Sequence, residues 1–147
     1  MGLKDDGWRR NPAAYPVRFT LPTRYGDMDA NAHLNNVAIA RLFEESRVRF
    51  HYAIRAEGAE VSPGAVMIAH VSIDYLGEGE YPADVEAGVG IVSLGGSSYR
   101  LAIGLFQNGR AFALAESVMV SIAADRSGAA PLAADLRALL EGYRANG

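Results

Sequence analysis

Residues 27–36 read Asp-Met-Asp-Ala-Asn-Ala-His-Leu-Asn-Asn and stand directly before a helical pattern that runs from Val37 to His51. Two carboxylates, three carboxamides and an imidazole are therefore concentrated in ten residues. A helix begins with backbone N–H groups that have no partner within the helix and with the positive end of the helix dipole. Polar, reactive side chains at such a position indicate an active site.

The segment after this loop predicts a well-buried helix. At about 100° per residue, one stripe collects Ile39, Leu42, Phe43, Ser46 and Phe50. Val37 and Val48 fall on nearly the opposite side, which makes them candidates for contacts with a second chain. Asn35 or Asn36 is expected to cap the helix N-terminus, because a short side-chain oxygen satisfies one of the unpaired N–H groups there.

Alternating apolar residues predict one strand before the loop and four strands after the helix. The first is expected at residues 17–21, and the others at Val66–Leu76, Asp84–Leu94, Ser97–Gln107 and Ala111–Ala123. Asn108-Gly109 is a strong signal for a two-residue hairpin between the last two strands. A loop is predicted at residues 57–64 and a short helix over Leu132–Tyr143. This order predicts an α+β domain, in which one long helix covers an antiparallel sheet.

The chain length of 147 residues indicates a single domain, assigned here to residues 17–147. Residues 1–16 show no periodicity and are expected to form a loose N-terminal arm, whose Trp8 and Tyr15 could dock on the domain. The net charge of −3 gives no reason to expect a nucleic acid or an anionic membrane as a partner.

Cysteine is missing from the chain, which excludes disulfides, thiolate zinc sites and cysteine nucleophiles. No apolar run approaches the roughly 20 residues of a membrane helix. The first sixteen residues also lack the apolar core of a signal peptide. The cytoplasm is therefore the expected location.

The loop and its surroundings resemble the hotdog-fold thioesterases, and in particular the acyl-CoA thioesterases related to 4-hydroxybenzoyl-CoA thioesterase. The resemblance rests on Arg24–Asp29, Ala32–Asn36, Phe43–Arg47, Ile73–Leu76, Leu94–Ser98 and Pro131–Leu132. The loop is also similar to that of plant fatty acyl-ACP thioesterases, in the spacing of Asp29, Asn31 and His33. The resemblance implies a hotdog fold, with a five-stranded antiparallel sheet wrapped on one long central helix.

Thioester hydrolysis needs an activated water or nucleophile and a stabilised oxyanion. The resemblance implies that Asp29 is the general base or the nucleophile, and that Asn31 and His33 orient the water or polarise the thioester carbonyl. It also implies that an oxyanion site is formed by the backbone amides of Leu34, Asn35, Asn36 and Val37. The alternative is that the polar residues of this loop only form turns and caps, and this is the preferred interpretation of Asp27.

Two further carboxylates are weaker catalytic candidates. Some hotdog enzymes carry the catalytic carboxylate on the central helix, where Glu44 lies. The neighbouring Glu45 has an arginine four residues to either side, which is an ordinary helix ion-pair arrangement and favours a structural role. Asp74 matches a proposed catalytic glutamate of the plant relatives.

Glu116 stands within an otherwise apolar strand pattern. A buried carboxylate there costs several kcal/mol unless it has a partner. Arg47 is one candidate partner, and a β-bulge that turns the side chain outward is an equally good explanation.

The three histidines show no metal-ligand spacing and there is no glycine-rich phosphate loop, so neither a metal nor a cofactor is expected. Coenzyme A would enter only as part of the substrate. The resemblance implies an acyl-CoA or acyl-ACP substrate and a homodimer or homotetramer with the active site at the dimer seam, because a lone sheet leaves open edges. The alternatives are a non-catalytic acyl-thioester binding module and a structural subunit, and a hotdog dehydratase is less favoured.

Overall fold

The computed structural model describes residues 2–59 and 65–146. Its strands are β1 (Val17–Leu21), β2 (Val66–Tyr75), β3 (Val85–Leu94), β4 (Ser98–Gln107) and β5 (Arg110–Ser121), and its α-helices are α1 (Asn36–Ala56) and α2 (Ala134–Glu141). The strands form one antiparallel sheet in the order β1-β3-β4-β5-β2, so β1 and β2 are its edges. Together with α1 on one face, this sheet confirms the predicted α+β architecture.

The long helix α1 covers the sheet with the predicted apolar stripe. Phe43, Ser46 and Phe50 are fully buried, and the Ser46 hydroxyl donates a hydrogen bond to the Leu42 carbonyl, which satisfies the polar group inside the core. Asn35 is the N-cap, because its Oδ1 accepts the N–H of Ala38 at 2.8 Å. The helix runs five residues beyond the predicted end at His51, to Ala56.

The core lies between α1 and the strands β1, β3 and β4. Its fully buried side chains include Leu21, Val85, Val89, Leu101, Ile103 and Leu105. Each such side chain contributes about 1.5–3 kcal/mol of burial free energy. The uneven coverage leaves the helix-side face of the edge strand β2 more open to solvent than the rest of the sheet, with Val71 39% exposed.

The predicted two-residue hairpin between β4 and β5 is confirmed. Asn108 and Gly109 have φ of 53° and 73°, which is the pair of positive values that a type I′ hairpin requires. Helix α2 is shorter than predicted and begins after Leu132, whose side chain is buried. Of the predicted loop at residues 57–64, residues 60–64 lie outside the described part of the chain.

The prediction of a loose arm at the N-terminus is wrong for residues 2–16. This segment forms three short 3-10 helices and packs on the rear face of the sheet, opposite α1. Gly88 and Gly104 pair across β3 and β4, and a Cβ at Gly88 would lie 2.6 Å from the Tyr15 ring. Because these two glycines leave a bare groove in the sheet, the Tyr15 ring fills it, and its hydroxyl donates to the carbonyl of Arg9 at 2.7 Å.

The partners of Glu116 are also different from those expected. Arg9 and Arg100 donate to its two carboxylate oxygens at 2.6 and 2.9 Å. Arg47, the partner considered from the sequence, donates instead to the Ser117 hydroxyl on the other face of β5. Alternate residues of a strand point to opposite faces, so the rear-facing Glu116 meets the N-terminal segment and not the helix.

Among the helices of the described residues, none combines the length and the apolarity needed to cross a membrane.

Candidate active site

The polar loop at residues 27–36, called the site loop below, is closed at its base by Asp27. This side chain is buried, and its carboxylate accepts the backbone N–H of Arg24 at 2.9 Å and the Arg24 guanidinium at 3.2 Å. The Asp27 carbonyl accepts the N–H of Asn35 at 2.9 Å. Asp27 therefore joins the two ends of the loop, which supports its structural interpretation.

Asp29 lies at the exposed turn of the site loop. Its Oδ1 accepts the backbone N–H groups of Asn31 at 2.9 Å and His33 at 3.3 Å, and its own N–H donates to the His33 carbonyl at 2.9 Å. No hydrogen bond within residues 2–59 and 65–146 uses the second carboxylate oxygen. Asp29 thus forms the turn with one oxygen and keeps the other available, so the turn-forming and the reactive interpretations are compatible.

The imidazole of His33 is held by a residue that no sequence pattern singles out. His33 Nε2 lies 2.9 Å from Oε2 of Glu78, which belongs to the loop between β2 and β3. Glycines flank Glu78 on both sides and signal a turn, but no local pattern connects it to a residue 45 positions earlier. Asn31 remains exposed at the tip of the site loop.

Two of the four backbone amides expected at the oxyanion site already have partners. The N–H of Leu34 donates to the Gly79 carbonyl and that of Asn35 to the Asp27 carbonyl, both at 2.9 Å. The N–H groups of Asn36 and Val37 are the first two of α1, ahead of the first helical bond from Ile39 N–H to the Asn35 carbonyl. Of the predicted set, Asn36 and Val37 are therefore the amides that can still receive an anion.

The weaker candidates lie apart from the site loop. Glu44 is exposed on α1, eight residues after its start, which corresponds to about 12 Å along the axis. Asp74 is on the rear face of the sheet, where its carboxylate accepts the backbone N–H of Lys4 at 3.0 Å. The neighbouring Ile73 packs into the core beneath α1. The fold therefore does not bring Asp74 together with Asp29.

A cleft of about 410 Å³ lies beside α1 on the side of β1. Its charged residues pair with each other: Arg24 and Arg41 approach the Asp27 carboxylate, and Arg49 donates to Glu45 at 2.9 Å. This balance of charge leaves no excess of cations for a phosphate group. Residues 2–59 and 65–146 also contain no group of three His, Asp or Glu side chains placed to hold a metal ion.

Some solved structures with this architecture are described as thioesterases. The PA5185 protein from Pseudomonas aeruginosa is 25% identical, with a TM-score of 0.79 over 94% of this chain and 98% of that chain. A Thermus thermophilus thioesterase, solved with coenzyme A and Zn, is 29% identical, with a TM-score of 0.75 over 88% of this chain and 95% of that one. The gentisyl-coenzyme A thioesterase BH1999, at 14% identity and a TM-score of 0.72 over 84% of this chain and 99% of that one, shares the fold.

A comparison with curated protein sequences finds no significant match. Residues 23–140, however, match the family model of the thioesterase-like superfamily. This range begins just ahead of the site loop and extends through α1 and all of β2 to β5. The chain therefore belongs to the thioesterase-like superfamily and is a thioesterase of the hotdog fold.

Proposed function

We propose that this chain hydrolyses an acyl-CoA thioester to the free acid and coenzyme A, with Asp29 as the general base or the nucleophile. The observation that carries the proposal is the position of the Asp29 carboxylate, which lies just before α1 with one oxygen fixed by the loop and the other available. The amides of Asn36 and Val37 supply donors at the same end of the helix.

With Asp29 as the base, the reaction proceeds by attack of water on the thioester carbonyl. Asp29 takes one proton from the water while the water oxygen bonds to the carbonyl carbon. The N–H groups of Asn36 and Val37 bind the negative charge that develops on the carbonyl oxygen. The C–S bond then breaks, and sulfur leaves with the bonding electrons and takes the proton back from Asp29 to form the thiol. Within one chain, the groups that take part in these steps belong to the site loop and the start of α1, and coenzyme A enters as part of the substrate.

A second copy of the chain would complete this site. The helix-side row of β2 contains Tyr75, Val71 and Ile68, which are 51%, 39% and 43% exposed and pair with residues of β5 that face α1. Such an apolar row on an unpaired edge strand is typical of a strand that adds to another sheet. We expect two chains to form a homodimer through β2, either as the complete assembly or as part of a homotetramer. Light scattering should show the dimer, and Val71→Lys should shift it toward monomer.

The decisive experiment is the release of free thiol from short, long, branched and aromatic acyl-CoAs by the wild type and Asp29→Asn. Asparagine keeps the Oδ1 acceptor that the turn needs, so the substitution removes the negative charge but preserves the conformation of the loop. Turnover is expected to fall by about a hundredfold or more. The chain has no cysteine and gives no thiol background.

Asp125→Asn is the matched control, because Asp125 also accepts an N–H two residues on, that of Ser127 at 3.0 Å, in a different loop. It should retain full turnover. If Asp29→Asn stayed fully active, the role of Asp29 would be wrong.

Two other functions give different results in the same assay. An acyl-ACP thioesterase would release thiol from acyl-ACP but not from acyl-CoA. A binding module would be stabilised against heat by an acyl-CoA and release no thiol from either carrier.

A further inference from the structure

The loop between β2 and β3, residues 76–84, is fixed against the site loop. The N–H groups of Leu76 and Gly77 both donate to the Phe112 carbonyl, at 3.0 and 3.2 Å. The Gly79 carbonyl accepts the N–H of Leu34, and a Cβ at Gly79 would lie 2.8 Å from Cδ1 of Leu34. The two loops are thus in direct contact through both hydrogen bonds and packing.

A buried glutamine holds the rest of this loop in place. Oε1 of Gln107 accepts the N–H of Glu80 at 2.9 Å, and its Nε2 donates to the carbonyls of Glu80 and Ala83 at 2.8 and 3.2 Å. These three hydrogen bonds therefore end on the same loop. A site residue is most effective when its support is fixed in this manner before substrate binds.

On this support, the Glu78 carboxylate lies 2.9 Å from Nε2 of His33. An ionised carboxylate can only accept hydrogen bonds, so Nε2 carries a proton. In the neutral imidazole, the unprotonated nitrogen is then Nδ1.

We propose that Glu78 is a positioning residue, which holds His33 in its Nε2–H form and leaves Nδ1 to accept a hydrogen bond from the attacking water. This inference rests on the proposed hydrolysis by Asp29. The water then donates one hydrogen to the Asp29 carboxylate and the other to Nδ1 of His33, and the lone pair of its oxygen points to the carbonyl carbon. No proton moves to His33 in this arrangement.

If the role of Glu78 were purely structural, its removal would lower the melting temperature. The Glu78 side chain is 67% exposed and that of His33 30% exposed, and exposed ion pairs contribute little to stability. Removal of the Glu78 carboxylate should therefore lower turnover while the melting temperature stays constant.

The first test measures the tautomer of His33 by ¹⁵N NMR in the full chain without substrate. Only three histidines are present. His51 is an internal reference of the opposite tautomer, because its Nδ1 lies 2.7 Å from the Arg47 carbonyl and must donate. We expect the Nε2–H form for His33 in the wild type and a mixture of tautomers in Glu78→Ala. An unchanged tautomer in Glu78→Ala would overturn the proposal, even if no substrate had been found.

The second test compares the kinetics of Glu78→Ala with those of Glu80→Ala. Glu80 is exposed in the same loop and contacts Gln107 only through its backbone. We expect kcat to fall about tenfold or more in Glu78→Ala, which is the lower end of the loss that follows removal of a partner that orients a metal-ligating side chain. KM should change little. Glu80→Ala should match the wild type, and Glu78→Gln, which keeps an acceptor oxygen, should recover part of the loss.

A double substitution separates positioning from every other effect of Glu78. In a His33→Gln background, Glu78→Ala should cause no further loss, because the group that it positions is already gone. An equal loss of kcat with and without His33, or full activity of Glu78→Ala, would overturn the proposal. Whatever the result for Glu78, a loss of turnover in the single variant Asp29→Asn would still support the proposed function.

Discussion

His51 on α1 and Tyr99 on β4 form a hydrogen bond in the core between helix and sheet, with Tyr99 fully buried. The Nδ1 of His51 donates to the Arg47 carbonyl, so its Nε2 is the acceptor for the Tyr99 hydroxyl. Burial lowers the pKa of His51 and raises that of Tyr99. Both groups are therefore held in their neutral forms.

The lowered pKa of His51 predicts a loss of stability in acid. The unfolded chain binds a proton at this residue near pH 6.5, while the folded chain binds it only at lower pH. Stability from this group is thus fully present above the unfolded pKa and declines as the pH falls below it. The free energy of unfolding should decrease by at most about 1.4 kcal/mol per pH unit from this one proton. Urea unfolding between pH 7.5 and 5 measures the slope.

His51→Gln is the control for this pH dependence. It removes the titrating group, so its slope should be shallower than that of the wild type across the same range. Identical slopes would show that other groups cause the acid sensitivity.

The ion pair between Arg9 and Glu116 should contribute far more to stability than the one between Arg18 and Glu86. The Arg9 and Glu116 side chains are 6% and 13% exposed, whereas those of Arg18 and Glu86 are 50% and 48% exposed. Since Arg100 still contacts Glu116, we expect Arg9→Ala to cost about 2–3 kcal/mol, below the roughly 3–5 kcal/mol for a buried charge left without any partner.

Arg18→Ala serves as the matched control for Arg9→Ala and should cost about 0–1 kcal/mol, as for other exposed ion pairs. Chemical denaturation measures both. Equal effects would mean that residues 2–16 do not form an integral part of the folded domain.

Gly79 should not accept a side chain without loss of both stability and turnover. A Cβ there would lie 2.8 Å from Leu34 and 2.9 Å from Phe112, and such overpacking typically costs about 1–3 kcal/mol. Because Leu34 belongs to the site loop, the shift should also lower turnover. Gly96→Ala is the comparison, since its Cβ would meet no atom within 4 Å. Thermal unfolding measures the stability of both variants, and thiol release measures their turnover. Wild-type behaviour of Gly79→Ala would contradict the close packing.

The oxyanion role of the first α1 amide can be tested by removing a single N–H group. Asn36 is the first helical residue and follows Asn35, whose extended conformation of φ −78° and ψ 164° suits a residue before proline. Proline is well tolerated at this helix position. Asn36→Pro should therefore fold normally and lose about 10²–10³ in kcat, as when an oxyanion donor is removed.

Asn36→Ala keeps the backbone N–H and should remain close to wild type, which isolates the amide from the side chain. If Asn36→Pro retained full kcat, the oxyanion would have to be bound elsewhere.

The elements that the sequence predicted well are those with a local cause. The stripe from Ile39 to Phe50 follows from the helical period, the β4–β5 turn from the left-handed preference of Asn108-Gly109, and the cap from the short side chain of Asn35. The polar turn around Asp29 is equally local, because its hydrogen bonds reach only two and four residues along the chain.

Contacts between distant parts of the chain were decided only by the tertiary structure. The contact of His33 with Glu78 spans 45 residues and that of Arg9 with Glu116 spans 107. Which residues meet in this way depends on the order of the strands and on which segment covers each face of the sheet, and neither leaves a local signal in the sequence. For the same reason residues 2–16 looked unstructured, since the groove that receives Tyr15 exists only once the strands have paired. The sequence by itself thus determined the helix, the strands and the reactive loop, while the packing of distant segments determined how that loop is supported.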